Sequence, residues 1–198
     1  MNSLLRENNG QRDMLMSATE FVILDPRAAP PVAISPYRLK ADVSRRGLRV
    51  ALFSNGFYDA TNLMKAVEAA LRPALNEPVF SLYARLNASV TAPPEVIAEA
   101  VRSNDVAVTA LGHCGSCTSS ATRDAVALAG AGIPACVLIS EKFHQMSGFI
   151  ARSVGMPDLP RVKLPHPVAG TGAARIAEIA ADAAPAIISM WEAAHVLA

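Results

Sequence analysis

Between Leu48 and Leu164 the chain repeatedly switches hydrophobic period, from short β-rich runs to longer segments with helical spacing, and that alternation restricts the folds open to it. The first unit is Leu48-Arg49-Val50-Ala51-Leu52-Phe53, stopped by Ser54-Asn55-Gly56 and followed by a helix-like stretch from Asp59 to Leu75. It recurs as Val79 to Tyr83 with Pro93 to Arg102, as Val106 to Leu111 with Ser119 to Gly130, and as Ala135 to Ile139 with Glu141 to Val154. A last run, Arg161 to Leu164, leads through His166-Pro167 to a closing helix from about Ala173 to Val196. Such apolar strands are buried on both faces, and strand-helix-strand crossovers are right-handed. The pattern therefore predicts an α/β fold: a three-layer sandwich on a five-stranded parallel sheet of flavodoxin-like or Rossmann-like type. In the order 2-1-3-4-5 the first and third strands meet at the switch point, where ligands bind beyond the carboxyl ends of strands. The loops after Phe53, Leu111, Ile139 and Leu164 then open on one edge.

Residues 1–20 carry too little apolar surface to order themselves and are expected to form a flexible arm, with residues 21–198 as a single domain. The Pro-rich stretch from Pro26 to Pro36 is suited to a lead-in that wraps the domain. At 198 residues and 52% apolar composition the chain can bury a full core without disulfides or structural metal. Eighteen basic residues against seventeen acidic ones leave a charge of +1, without the long runs that track a phosphate backbone or an anionic bilayer. Nucleic acid and membrane surfaces are excluded as expected partners. Met1 to Thr19 is polar, and no stretch is apolar enough to span a bilayer, so the expected location is the cytoplasm.

Three cysteines, two of them three residues apart, do not make a disulfide framework and are better suited to redox, catalytic or metal-binding roles. Cys114 and Cys117 lie in His113-Cys114-Gly115-Ser116-Cys117-Thr118, between a strand end and a helix start. Gly112 and Gly115 let that turn be tight, and Thr118, Ser119 or Ser120 can cap the helix. The free N–H groups of a first turn stabilise a thiolate, and His113 adds to this when protonated. A closed zinc site needs four ligands, so a metal site here would have to combine both cysteines with His113 or His166. Cys136, inside an apolar strand, is expected to be a buried small hydrophobe. Asn55, with Gly56, is placed to hold an anionic substrate group, as are Thr118 and Ser119 with Gly115 and Ser116, and Ser140 is a further substrate-binding candidate. His166, fixed between Pro165 and Pro167, is the preferred acid or base, with Ser140 and His144 near it and His195 on the surface.

The run Gly112-His113-Cys114-Gly115-Ser116-Cys117-Thr118-Ser119 resembles the motif of the UGSC family, in which some members carry selenocysteine where Cys114 stands. Val22-Ile23-Leu24-Asp25-Pro26 is similar to that family's opening, Leu52 to Gly56 with Asn62 to its first strand and loop, and Met156-Pro157-Asp158 with Leu164 to Pro167 to its final segment. The resemblance implies that Cys114 is the reactive position and Cys117 its resolving or supporting partner. Two positions depart from the pattern: His113 replaces an acidic residue, and Phe57-Tyr58-Asp59 replaces a more polar, lysine-containing stretch. A looser likeness, a Cys-Thr-Ser turn followed by a helix and a Gly-Ile-Pro strand, is to the aspartate/glutamate racemase and maleate isomerase superfamily, whose cysteines act without cofactor on small carboxylates. Those enzymes use two pseudo-symmetric halves, whereas this chain has about one, so a homodimer or hetero-oligomer would have to complete the site.

Three functions are therefore expected in turn. The first is a thiol-dependent, oxidoreductase-like enzyme in which Cys114 acts on a small anionic molecule, Cys117 supports it, His166 and His113 assist, and no organic cofactor is required. The second is a cofactor-free lyase, isomerase or hydrolase using the same thiolate. The third is a non-enzymatic metal- or electrophile-binding module.

Overall fold

The computed structural model describes residues 32–193. Five strands, β1 (Arg49–Ser54), β2 (Val79–Ala84), β3 (Val106–Gly112), β4 (Ala135–Ser140) and β5 (Arg161–Leu164), form one sheet in the order β2-β1-β3-β4-β5, and every pairing is parallel. The helices between and after them are α1 (Ala60–Leu71), α2 (Pro94–Ser103), α3 (Gly115–Gly130), α4 (His144–Ser153) and α5 (Ala173–Glu192). This is the expected α/β sandwich with the flavodoxin-like order. The expected arm at 1–20, the start of structure near Phe21, and His195 with Val196 lie outside the described residues.

Each strand's composition follows from its place. Every residue of β3 and β4 is buried, as strands covered on both faces must be, whereas edge strand β2 leaves Val79 and Leu82 exposed. On one face α1 buries Leu63, Met64 and Val67 against Ile176, Ile179, Ile187 and Trp191 of α5. On the other, Ile97 and Ala100 of α2, Ala121, Ala125 and Leu128 of α3, and Ala151 of α4 form a second core. Small residues along α3 let it lie close on the central strands, while each fully buried Leu or Ile contributes about 1.5–3 kcal/mol against the entropy of folding.

Several boundaries differ from the expected ones for local reasons. α1 stops at Leu71 because Pro73 lacks an N–H, and the chain tightens into a 3-10 turn over Arg72–Ala74. Asp59, where the helix-like stretch was expected to begin, precedes α1 with a left-handed backbone (φ 63°) and makes no capping bond. Its carboxylate instead accepts from Gly170 N at 2.8 Å and Asn62 Nδ2 at 2.9 Å, tying the first loop to the last. α4 begins at His144, after a 3-10 turn at Glu141–Phe143. Ahead of the sheet, Tyr37 is buried: its N–H reaches both Asp158 carboxylate oxygens at 3.0 Å, and its hydroxyl accepts from Ala135 N at 3.1 Å. Ala41 N then donates to Trp191 O at 2.7 Å, and Trp191 Nε1 to Ala107 O at 3.0 Å. Among the described residues no helix is long and apolar enough to cross a membrane.

Candidate functional site

The carboxyl edge of the sheet is organised around the step from β3 to α3. At Gly112 an added side-chain carbon would meet Ile139 Cδ1 and come within 3.2 Å of Thr118 Oγ1, so a larger residue requires the buried Ile139 side chain to move as the strand end passes beneath the first turn of the helix. α3 starts at Gly115, four residues before the expected Ser119, and its N-cap is Cys114 rather than Thr118, Ser119 or Ser120. A reciprocal pair of sulfur acceptors makes this possible: Cys114 Sγ accepts from Cys117 N at 3.3 Å, and Cys117 Sγ accepts from Cys114 N at 2.6 Å. It is a capping box with sulfur in both roles. His113 N adds a second donor to Cys117 Sγ at 3.3 Å.

The two sulfurs are joined as a disulfide, with Cα atoms 5.4 Å apart. They are not equivalent. Cys117 is completely buried, whereas Cys114 is partly exposed, with Sγ 3.7 Å from the hydroxyl of exposed Ser116. A reagent entering from solvent meets Cys114 first. Cys136 is fully buried in β4, and burial pushes its thiol far above the usual range, as befits a packing residue.

The groups expected to hold an anionic substrate are mostly engaged within the protein. Asn55 is 1% exposed; its Nδ2 donates to Leu111 O at 3.2 Å, Cys117 O at 3.1 Å and Ser120 Oγ at 3.4 Å. Its Oδ1 accepts from Leu111 N at 3.1 Å and Phe57 N at 3.2 Å. Asn55 thus fastens β1 to the cysteine turn and has no free face. Gly56 (φ 84°) backs onto the main chain of Arg85 and Leu86. Thr118, fully buried, gives its hydroxyl to Cys114 O at 2.6 Å. Ser119 accepts from Arg123 Nε at 3.3 Å, and Ser116 receives Ser89 Oγ at 3.0 Å. Gly115 faces Met146, whose Cε would be 3.7 Å from an added side-chain carbon.

On the opposite flank the histidines stack. The His113 and His166 rings lie 4.5 Å apart, bracketed by Phe57, 5.3 Å from His113, and Phe143, 6.1 Å from His166. His166 Nδ1 is 3.2 Å from the hydroxyl of buried Ser140, and His113 Nε2 accepts from Val168 N at 3.0 Å. Burial first, and the His166 charge second, hold His113 below its ordinary value, so it is the neutral ring that accepts this bond. The cationic support expected from His113 is therefore absent in this arrangement. His144 is likewise depressed, by burial first and then by Arg161, and it sits among Arg161 and Lys163 rather than in the stack.

Asn55, Cys114, Ser140 and His166 therefore share one edge, in structural and exposed roles that differ. Phe143 escaped sequence reasoning and Phe57 entered it only as a departure from the family pattern, although each lies beside a loop residue that was singled out: Phe57 follows Gly56 and Phe143 precedes His144. A cavity of about 300 Å³ opens elsewhere, between β2 and α2, walled by Phe53, Tyr83 and Val96 and distant in sequence from the cysteines.

The profile of the UGSC family matches residues 22–193. This chain belongs to the UGSC family. Its Cys-Gly-Ser-Cys run is the Cys114–Cys117 capping turn described above. No curated protein matches this UGSC-family chain. Among solved structures, a diflavin flavoprotein from Nostoc sp. is similar at 9% identity and a TM-score of 0.38, over 73% of this chain and 92% of that one. A flavodoxin-like domain from a Synechococcus sp. protein is similar at 12% identity and a TM-score of 0.34, over 70% of this chain and 96% of its own.

Proposed function

We propose that this UGSC-family protein is a thiol-dependent enzyme that reduces a small organic substrate through Cys114, with Cys117 as resolving thiol. The reading rests on one asymmetry. Cys114 is partly exposed at a helix start, while Cys117 Sγ is buried within bonding reach of it and receives N–H groups from His113 and Cys114. Backbone donors aimed at a sulfur favour its thiolate, and the attack that closes the pair needs only a small movement.

For a disulfide substrate RS–SR′ the steps balance as follows. The Cys114 thiolate attacks one substrate sulfur, a Cys114–SR bond forms, the substrate S–S bond breaks, and R′S⁻ leaves with the bonding pair. Cys117 then attacks Cys114 Sγ, forming the intramolecular disulfide and releasing RS⁻. The substrate has gained two electrons and two protons, and an external dithiol returns the pair to its reduced form. His166, held by Ser140 and stacked on neutral His113, serves as proton donor to the leaving thiolate.

The test uses bis(2-hydroxyethyl) disulfide as substrate and dithiothreitol as reductant. Prereduced Cys117→Ser, freed of dithiothreitol and given the disulfide alone, is expected to accumulate a stoichiometric Cys114 mixed disulfide, seen as a mass increment on the peptide carrying residue 114, and to lose the intramolecular resolution step. Sustained turnover of any substrate by Cys117→Ser with no thiol donor present would transfer the protein to the lyase and isomerase class.

A further inference from the structure

Resting on the thiol-exchange reading, we infer that the substrate approaching Cys114 is an uncharged, apolar organic disulfide rather than the anion expected from the sequence. The buried polar side chains best suited to an anion are taken. Asn55 spends both ends of its amide on Leu111, Cys117, Ser120 and Phe57, and Thr118 spends its hydroxyl on Cys114 O. The neighbouring carboxylate, Asp59, is held by Gly170 N and Asn62.

Beside exposed Ser89, Ser116 and Lys142, the loops flanking the helix start carry large free apolar side chains. Tyr58 is 71% exposed, Val90 53% and Met146 38%, and Leu86 is fully exposed. Large exposed apolar side chains gathered at one place carry information that scattered ones do not. Contacts tie the loops of three of them to this turn, and Tyr58 follows Phe57, which stacks on His113. Gly56 backs onto the main chain at Leu86, Ser89 next to Val90 bonds Ser116, and Met146 closes over Gly115. With Phe57 and Phe143 ending the histidine stack, the partly exposed sulfur has aromatic or aliphatic surface on each of its flanking loops.

Electrostatics reinforces the apolar surface. The helix start attracts an anion weakly, one of its first-turn N–H groups, Cys117 N, is already given to Cys114 Sγ, and an attacking thiolate repels an incoming anion. One competing cation is Arg123, exposed and bonded to Ser119 one turn along α3.

Stopped-flow modification of the reduced full-length protein decides between them. The neutral aromatic disulfide 2,2′-dithiodipyridine is compared with the dianionic 5,5′-dithiobis(2-nitrobenzoate), and iodoacetamide with iodoacetate. Each neutral-to-anionic rate ratio is divided by that of a simple uncharged cysteine amide at the same pH. The expected normalised ratio is at least about tenfold for the aromatic pair, falling towards one in Tyr58→Ser and Leu86→Ser, whose exposed positions leave folding intact. A normalised ratio of one or less overturns the inference, and if Arg123→Gln then slows only the anionic reagents, the site takes an anion. These rates require a reactive Cys114 but no resolution by Cys117. Loss of the neutral preference with a trapped mixed disulfide removes only the substrate class. A retained preference with thiol-independent turnover by Cys117→Ser removes only the redox reading.

Discussion

The side-chain amide of Asn55 joins the end of β1 to both sides of the cysteine turn, and its removal orphans groups that water does not reach. In Asn55→Ala the buried Leu111 N–H, which donates to Asn55 Oδ1 at 3.1 Å, loses that acceptor. A loss of about 1–3 kcal/mol is expected in urea unfolding, with slower resolution of a Cys114 mixed disulfide as the turn loosens. Asn55→Asp should be worse than Asn55→Ala, because a carboxylate would face Leu111 O and Cys117 O where the amide now donates. His113 supplies a pH dependence of definite sign. Its folded value lies below the ordinary one, so the unfolded chain binds the extra proton, and stability is full above about 6.5 and falls as the pH drops below that toward the depressed folded value. Urea midpoints at pH 7.5 and 5 should show this loss, and His113→Asn should reduce it, leaving the same-signed contribution of His144. The cysteine pair was legible from spacing alone. The role of Asn55 was not, because whether an amide at a strand end faces a ligand or a neighbouring backbone depends on partners more than fifty residues away.

At the scale of elements, the alternation of periods placed all five strands and five helices, while helix starts depended on chemistry that composition hides. Sequence preference selects hydroxyl and carboxylate caps, so Ser119 and Asp59 looked like the openings of their helices. The chain instead opens α3 on sulfur acceptors and uses Asp59 as a tie to Gly170. The loop after β1 has a second requirement, at Gly56. There φ is 84° and an added Cβ would run into the Arg85 carbonyl, a backbone atom that cannot rotate away. Gly56→Ala is therefore expected to cost more than about 1 kcal/mol in chemical denaturation and to lower the yield of folded protein. Residues 85–86 have no signature of that contact in their own sequence, since it is created by the parallel register of β1 and β2.

Across the whole molecule, the reactive turn lies at the carboxyl end of β3, and the Trp191 end of α5 is tied to its amino end. The strand order was legible because short strands joined by helical crossovers admit few arrangements; the clasp of Tyr37, Ala41 and Trp191 around the sheet was not, since no local period encodes it. Trp191 has consequences for how the molecule reports on itself. It is the one tryptophan in the sequence, wholly buried, with its indole N–H on Ala107 O near the amino end of β3. Five residue steps along the strand, about 16 Å, separate Ala107 from Gly112 beside the cysteines. Its fluorescence therefore reads the integrity of the core from a position remote from the sulfur chemistry. Emission will shift to the red when the fold opens and stay put when Cys114 is alkylated, oxidised or exchanged, giving every variant above an internal optical standard.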